Sequence, residues 1–148
     1  MSFRTASIKD IEPLLALENA CYPPCQAYSR AEYRYALATA RAVNVAWDDK
    51  GIIGFVGAFY HSAWRVGHVF TVNVHPKARG QGLGRRLMEE CEKRLSALGM
   101  QRVVLEVNVE NAAAIALYEA CGYERLQRLE NYYTQYENND AFLYAKEL

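Results

Sequence analysis

The chain has 148 residues, enough for one domain with a real core, and no repeat or linker divides residues 1–148. Lysine plus arginine and aspartate plus glutamate number 17 each, so no net charge draws the whole molecule onto nucleic acid or anionic lipid. No apolar run approaches the ~20 residues of a membrane span. Met1-Ser2-Phe3-Arg4-Thr5 lacks the basic-then-apolar pattern of a secretory signal, which makes the cytoplasm the expected compartment.

Taken in chain order, Phe3 to Ala6 reads as a short first strand. Ser7-Ile8-Lys9-Asp10 then opens a helix, with serine and aspartate spaced as in a capping box, and Ile11, Leu14, Leu15 and Glu18 follow at helical spacing. Tyr22-Pro23-Pro24 ends it, because proline denies the helical ladder a donor. Ser29-Arg30-Ala31-Glu32 is a second capping box, predicting a helix to about Thr39. Val43–Trp47, the turn Asp48-Asp49-Lys50-Gly51 and Ile52–Tyr60 read as an antiparallel hairpin, and Trp64–Val74 as the next strand. A helix from Gly82 to Leu98 is expected to bury Leu83, Leu87, Cys91, Leu95 and Leu98, with Gly99 as its end cap. Val103-Val104-Leu105-Glu106-Val107 is a strand with an acid among apolar neighbours. Asn111 opens a last helix carrying Ile115, Leu117, Tyr118 and Cys121 and closed by Gly122. Tyr123–Leu129 and Phe142–Lys146 are the closing strands. Hairpins followed by a strand–helix–strand–helix–strand series imply a mixed α/β sheet with helices on its faces.

One segment carries more chemistry than the rest. Arg79-Gly80-Gln81-Gly82-Leu83-Gly84 links an apolar strand to an amphipathic helix, and such a turn points backbone N–H groups at an anion. Arg79, Arg85 and Arg86 are expected to add full charge there. The spacing suits neither a Walker loop, since Gly84-Arg85-Arg86 replaces Gly-Lys-Ser/Thr, nor a dinucleotide fingerprint, which needs glycine where Arg85 stands. Cys21, Cys25, Cys91 and Cys121 form no C-x-x-C pair, and His61, His68 and His75 are not at zinc spacing with them, so no metal is expected. Cys91 and Cys121 read as small core residues.

The glycine loop, then Leu105-Glu106-Val107, then Asn111-Ala112-Ala113-Ala114-Ile115-Ala116-Leu117-Tyr118-Glu119-Ala120-Cys121-Gly122-Tyr123 resemble the GNAT superfamily of acetyl-CoA-dependent N-acetyltransferases. The loop matches that family's Q/R-x-x-G-x-G/A pattern, and the last helix matches N-x-x-A-x-x-L-Y-x-x-x-G-[FY]. Within the superfamily these stretches, with Asn131-Tyr132-Tyr133, are most similar to the bacterial ribosomal-protein alanine N-acetyltransferase group.

The resemblance implies a central mixed, mostly antiparallel twisted sheet of six or seven strands with about four helices, splayed at the fourth strand. It implies acetyl-CoA as co-substrate, its pyrophosphate on the backbone of Arg79, Gly80, Gln81, Gly82, Leu83 and Gly84 with Arg85 beside them. Val72, Asn73 and Val74 are expected to line the pantetheine arm, with the N–H of Val74 facing the thioester oxygen. The resemblance makes Tyr118 the candidate general acid; on spacing alone it reads as core packing. Glu106 is the candidate general base; the alternative is a structural carboxylate paired with Arg102. Asn111 is a helix cap that also contacts pantetheine in the family. Tyr28, Tyr132 and Tyr133 are candidates for the acceptor wall.

The implied acceptor is a primary amine, first the α-amine of a protein N-terminus, with a small-molecule or lysine amine as the alternative. A non-catalytic CoA-binding module stands as a reading of a different class. Neither a nucleic acid nor a membrane is an expected partner, and exposed edge strands leave a homodimer open. The group's usual Pro-Trp-Ser stretch is altered here, where Cys21-Tyr22-Pro23-Pro24-Cys25-Gln26-Ala27-Tyr28-Ser29 lacks the tryptophan. The segment Thr134–Asn139 also lacks the group's proline. Both departures fall on the acceptor side.

Overall fold

The computed structural model describes residues 2–148; Met1 lies outside them. The elements in order are β1 (Ser2–Thr5), α1 (Ile11–Cys21), α2 (Arg30–Ala38), β2 (Ala42–Asp48), β3 (Ile52–His61), β4 (Val66–Val74), α3 (Leu83–Ala97), β5 (Arg102–Asn108), α4 (Ala112–Ala120), β6 (Glu124–Leu129) and β7 (Ala141–Glu147). The strands form one seven-stranded sheet in the order β1-β2-β3-β4-β5-β7-β6. Every neighbouring pair is antiparallel except β4 and β5, which are parallel and joined by the crossover through α3. This is the mixed, mostly antiparallel sheet with four α-helices that the resemblance implied. Among the described residues no helix is long and apolar enough to cross a membrane.

Local sequence accounts for most boundaries. Ser7 and Ser29 each accept from a backbone N–H while Asp10 and Glu32 reach back to the cap N–H, giving two complete capping boxes. The first of these opens a short 3-10 turn, Ile8–Asp10, before α1. The first strand stops one residue before Ala6, which is buried under α1. Trp64 lies in the β3–β4 turn and is 78% exposed rather than in the strand. Leu98 also departs from expectation: α3 ends at Ala97, Gly99 turns the chain at φ +91°, and Leu98 is left about half exposed. The heptad-like spacing runs one step past the last helical residue.

The sheet separates two apolar layers. Beneath α3 and α4 lie Leu87, Met88, Cys91 and Leu95 against Val45, Val56, Val103 and Leu105, with Cys121 and Tyr123 beside them. Under α1 and α2 lie Leu14, Leu17 and Tyr33 against Ala46 and Phe55.

Two features of β4 shape the site. Its parallel pairing with β5 covers only Val66↔Arg102, Gly67↔Val103 and His68↔Val104. Just beyond, the register with β3 shifts: Ala58 pairs with Val69 and Gly57 with Thr71, leaving Phe70 as an extra residue. Such a bulge bends its strand, so β4 diverges from β5 and a wedge opens between them.

Candidate active site

The wedge is lined by backbone whose direction follows from ladder alternation. His75 N–H donates to Ile53 O at 2.9 Å, so that pair is hydrogen-bonded. In an antiparallel ladder the bonded pairs alternate; Asn73↔Phe55 is therefore bonded, and Val74↔Gly54 and Val72↔Val56 are not. The N–H and C=O groups of Val72 and Val74 thus point away from β3, into the wedge. The Val74 carbonyl accepts from Arg79 Nε at 3.0 Å and from the Cys21 thiol at 3.4 Å.

Asn73, grouped from sequence with these two, does something else. Its backbone is committed to β3, and its side chain is buried on the α1 face. There Nδ2 donates to Glu18 Oε1 at 2.7 Å and to the Tyr33 hydroxyl oxygen at 3.1 Å, while Oδ1 accepts from Thr71 Oγ1. Alternation along the strand turns its side chain away from those of Val72 and Val74, although the residue still lines the cavity.

At one end of the wedge lies the loop from Arg79 to Gly84, of which Gln81 faces away into a separate depression with His75 and Lys77. Gly80 (φ +78°) and Gly82 (φ +77°) occupy the left-handed region, and a Cβ built on either would meet nothing within 4 Å. Gly82 caps α3 without a side-chain hydrogen bond, so the first N–H groups of α3, from Leu83 onward, have no side-chain partner at the cap. Arg85 stands exposed at the same end and pairs with Glu89 at 3.2 Å. Arg86 does not join it. One helical step on, its guanidinium stacks 4.5 Å from the Trp47 ring centroid and 5.8 Å from that of Phe3.

The loop opens into a cavity of about 990 Å³ that runs past Val72 and Val74 to Glu106, Asn111 and Tyr118. Asn111 Oδ1 accepts from Ala114 N at 3.2 Å, which is the expected cap, and the residue also lines the cavity. Tyr118 is buried to 8% exposure, and burial pushes its phenol well above the usual range, so it is held protonated. Among the described residues no protein group hydrogen-bonds its hydroxyl, unlike Tyr33 and Tyr123, whose hydroxyls donate to Glu18 and Glu92.

Glu106 projects from β5 where the two strands part. Its partner is not Arg102, which pairs with Glu147 at 3.0 Å. Glu106 Oε2 lies 2.5 Å from Nε2 of His68 on β4. Side chains along a strand alternate faces, so Arg102 and Glu106 share a face but sit two pleats apart, and the cross-strand neighbour wins.

The acceptor-side candidates surround the far mouth. Tyr28 lines it, donating its hydroxyl to Phe70 O at 3.1 Å and packing edge-on against Tyr33 and Phe70. Tyr132, Tyr133 and Tyr136 form an edge-to-face chain with centroids 4.9 Å apart. Tyr133 and Tyr136 line the cavity, whereas Tyr132 is 46% exposed, its phenol pushed up by burial and then by the Glu106 carboxylate beside it.

Sequence reasoning gave no role to two residues of this region, His68 and Glu18. Glu18 is 1% exposed, and its carboxylate accepts from Tyr33 OH at 2.6 Å, Tyr28 N at 3.0 Å and Asn73 Nδ2. Its signal was its place four residues after Leu14 on the apolar stripe of α1, where a charge has to find buried donors. His68 carried only the signal of a polar residue in a strand that is apolar on its other face.

Comparison with known proteins agrees with this architecture. The chain is similar to the [ribosomal protein bS18]-alanine N-acetyltransferase of Escherichia coli (strain K12), 41% identical over 78 residues that make 52% of this chain and 53% of that protein. It is also similar to a mycothiol acetyltransferase of Streptomyces scabiei, 34% identical over 79 residues, 53% of this chain and 26% of that one. The chain spans between about a quarter and about half the length of the curated relatives it matches. The crystal structure of the ribosomal-protein-S18-alanine N-acetyltransferase from Escherichia coli superposes with a TM-score of 0.88 at 25% identity, covering 99% of this chain and 92% of that one. The model of the acetyltransferase (GNAT) family matches residues 11–123, and the chain belongs to that family.

Proposed function

We propose that this protein transfers the acetyl group of acetyl-CoA directly to a primary amine, with the α-amine of a protein N-terminus as acceptor. The observation that carries the reading is the single cavity that joins an anion-ready loop, unpaired strand amides, an unpartnered phenol and a carboxylate. The residues fit acetyl-CoA: open space stands over Gly80 and Gly82, and the free edge of β4 offers alternate donors and acceptors to an extended amide chain.

When bound, acetyl-CoA supplies an acyl group activated as a thioester. The loop amides from Arg79 to Gly84, with Arg85 beside them, hold its diphosphate. Val72 and Val74, whose backbone groups point into the wedge, would align the arm, and the N–H of Val74 would serve as the donor to the thioester oxygen on which negative charge grows. Glu106 takes a proton from the attacking amine. An α-amine, with an ordinary pKa of about 8 against about 10.4 for lysine, asks less of a carboxylate base. Tyr118, kept protonated by burial, donates to the departing sulfur. Asn111 caps α4 and, lining the cavity there, would meet the arm. Tyr28, Tyr133 and, at the rim, Tyr132 wall the acceptor.

The N-terminal acceptor is supported by the likeness to the ribosomal-protein alanine N-acetyltransferase of Escherichia coli over about half of both chains. The altered loop from Cys21 to Ser29 and the likeness to a mycothiol acetyltransferase favour a small-molecule amine as the second reading. Thiol release from acetyl-CoA, measured with N-terminal peptides, lysine peptides and small amines, separates them. Turnover on N-terminal peptides is expected. Turnover confined to small amines would refute the N-terminal acceptor, and tight cofactor binding without release on any acceptor would refute transfer.

A further inference from the structure

We propose that His68 is a positioning residue for Glu106, donating its Nε2–H to one carboxylate oxygen and thereby aiming the other at the acceptor amine. The inference rests on Glu106 serving as the proton acceptor. His68 is the last residue of β4 with a partner on β5, Val104, and Glu106 lies two residues further along β5 on the same face as Val104. The two side chains therefore meet across the point where the strands part, with Nε2 2.5 Å from Oε2.

An ionised carboxylate can only accept hydrogen bonds, so the hydrogen between them sits on Nε2. The backbone of Glu106 is pinned by its pairing with Leu143 on β7, but that leaves the carboxylate free to rotate. Among the described residues no lysine or arginine forms an ion pair with it; Arg102 is spent on Glu147. What remains is His68 from β4 and the Tyr132 hydroxyl from the β6–β7 loop, which is the more exposed of the two. His68, anchored in a strand, is the rigid one. In the transfer an amine N–H bond breaks and its proton goes to the free oxygen of Glu106; the nitrogen pair forms the C–N bond as the acyl C–S bond breaks, and the sulfur leaves with its electron pair and takes a proton from Tyr118. His68 keeps its hydrogen throughout.

The test compares wild type, His68→Ala, His68→Gln, Glu106→Gln and the His68→Ala/Glu106→Gln double variant by steady-state thiol release, with acetyl-CoA affinity by calorimetry. His68→Ala is expected to lower kcat roughly 10- to 100-fold, the cost of a misaimed group, while cofactor affinity stays within about twofold. His68→Gln, which keeps an N–H donor, recovers part of the loss. The double variant is expected to be no slower than Glu106→Gln alone, because the histidine acts only through the carboxylate. Wild-type kcat in His68→Ala, or a full additional loss on the Glu106→Gln background, would overturn the proposal. The ¹⁵N spectrum of the wild-type histidine rings is read independently of turnover and of how any variant folds. The Nε2–H form of His68 is expected, and the Nδ1–H tautomer would refute it. A wild type with the Nε2–H form but no turnover on any acceptor would instead sink the acetyltransfer reading and, with it, the role given to Glu106.

Discussion

Tyr118→Phe separates chemistry from folding more cleanly than any other change in this chain. The ring is buried and packs edge-on to Tyr123 at 6.1 Å, and phenylalanine keeps that packing. The hydroxyl has no protein partner among the described residues, so deleting it strands no buried donor or acceptor. The expected cost in stability is below about 0.5 kcal/mol. On the proposed mechanism the same atom is the proton donor to sulfur, and one positioned acid contributes on the order of 100-fold, about 2.7 kcal/mol of barrier. Tyr123→Phe is the internal control: its hydroxyl donates to Glu92 at 2.8 Å, so its loss costs roughly 1–3 kcal/mol of stability with little effect on kcat. The assay is thiol release at saturating acetyl-CoA, with thermal melts and calorimetric affinity on the same preparations. Tyr118→Phe with wild-type kcat would show the residue to be packing. A fall in melting temperature matching that of Tyr123→Phe would show that the hydroxyl has a structural partner.

Three further outcomes are expected. Gly82→Val forces a β-branched residue to φ +77° over the open loop; it should weaken acetyl-CoA binding at least tenfold, and unchanged calorimetric affinity would remove the loop from the binding site. Glu18→Gln places an amide donor against three existing donors and should cost about 1–3 kcal/mol in urea unfolding, an effect absent if the carboxylate were solvated. Asp10 gives a pH signature. Arg4 holds its carboxyl below the usual range, helped by the Ser7 N–H and opposed by burial. A depressed folded pKa stabilises above the unfolded value of 3.8 and ceases to do so as pH falls through the folded one. The stability gap between wild type and Asp10→Asn, about 1–2 kcal/mol at pH 7, should therefore close on acidification below that value; a gap independent of pH would assign it to packing.

Local signals reached far into this fold. Both serine capping boxes, the proline stop after Cys21, the Leu83–Leu95 stripe and the glycine loop all follow from residues within a few positions of one another, and each lies in the structure where its pattern put it. What escaped depends on contacts distant in sequence. Phe70 becomes an extra residue only because β3 and β4 pair in a particular register. Asn73 turns inward because Glu18, 55 residues away, needs a donor. Arg86 leaves the loop because Trp47 offers it a ring face, and Glu106 takes His68 rather than Arg102 because strand order, invisible to spacing, makes β4 its neighbour. The chemistry-bearing backbone was legible as glycine and charge; which side chains hold one another in place was not.

The short seam between β4 and β5 has a mechanical consequence. Among the described residues, backbone pairing of the first four strands with the last three is confined to Arg65–His68 against Gln101–Val104, so along this seam the sheet is two leaves fastened at one end. A molecule bonded to the free edge of β4 while resting on α4 supplies the absent fastening. Occupancy then resists spreading of the leaves, and the protein's resistance to heat rises with the logarithm of the free cofactor concentration.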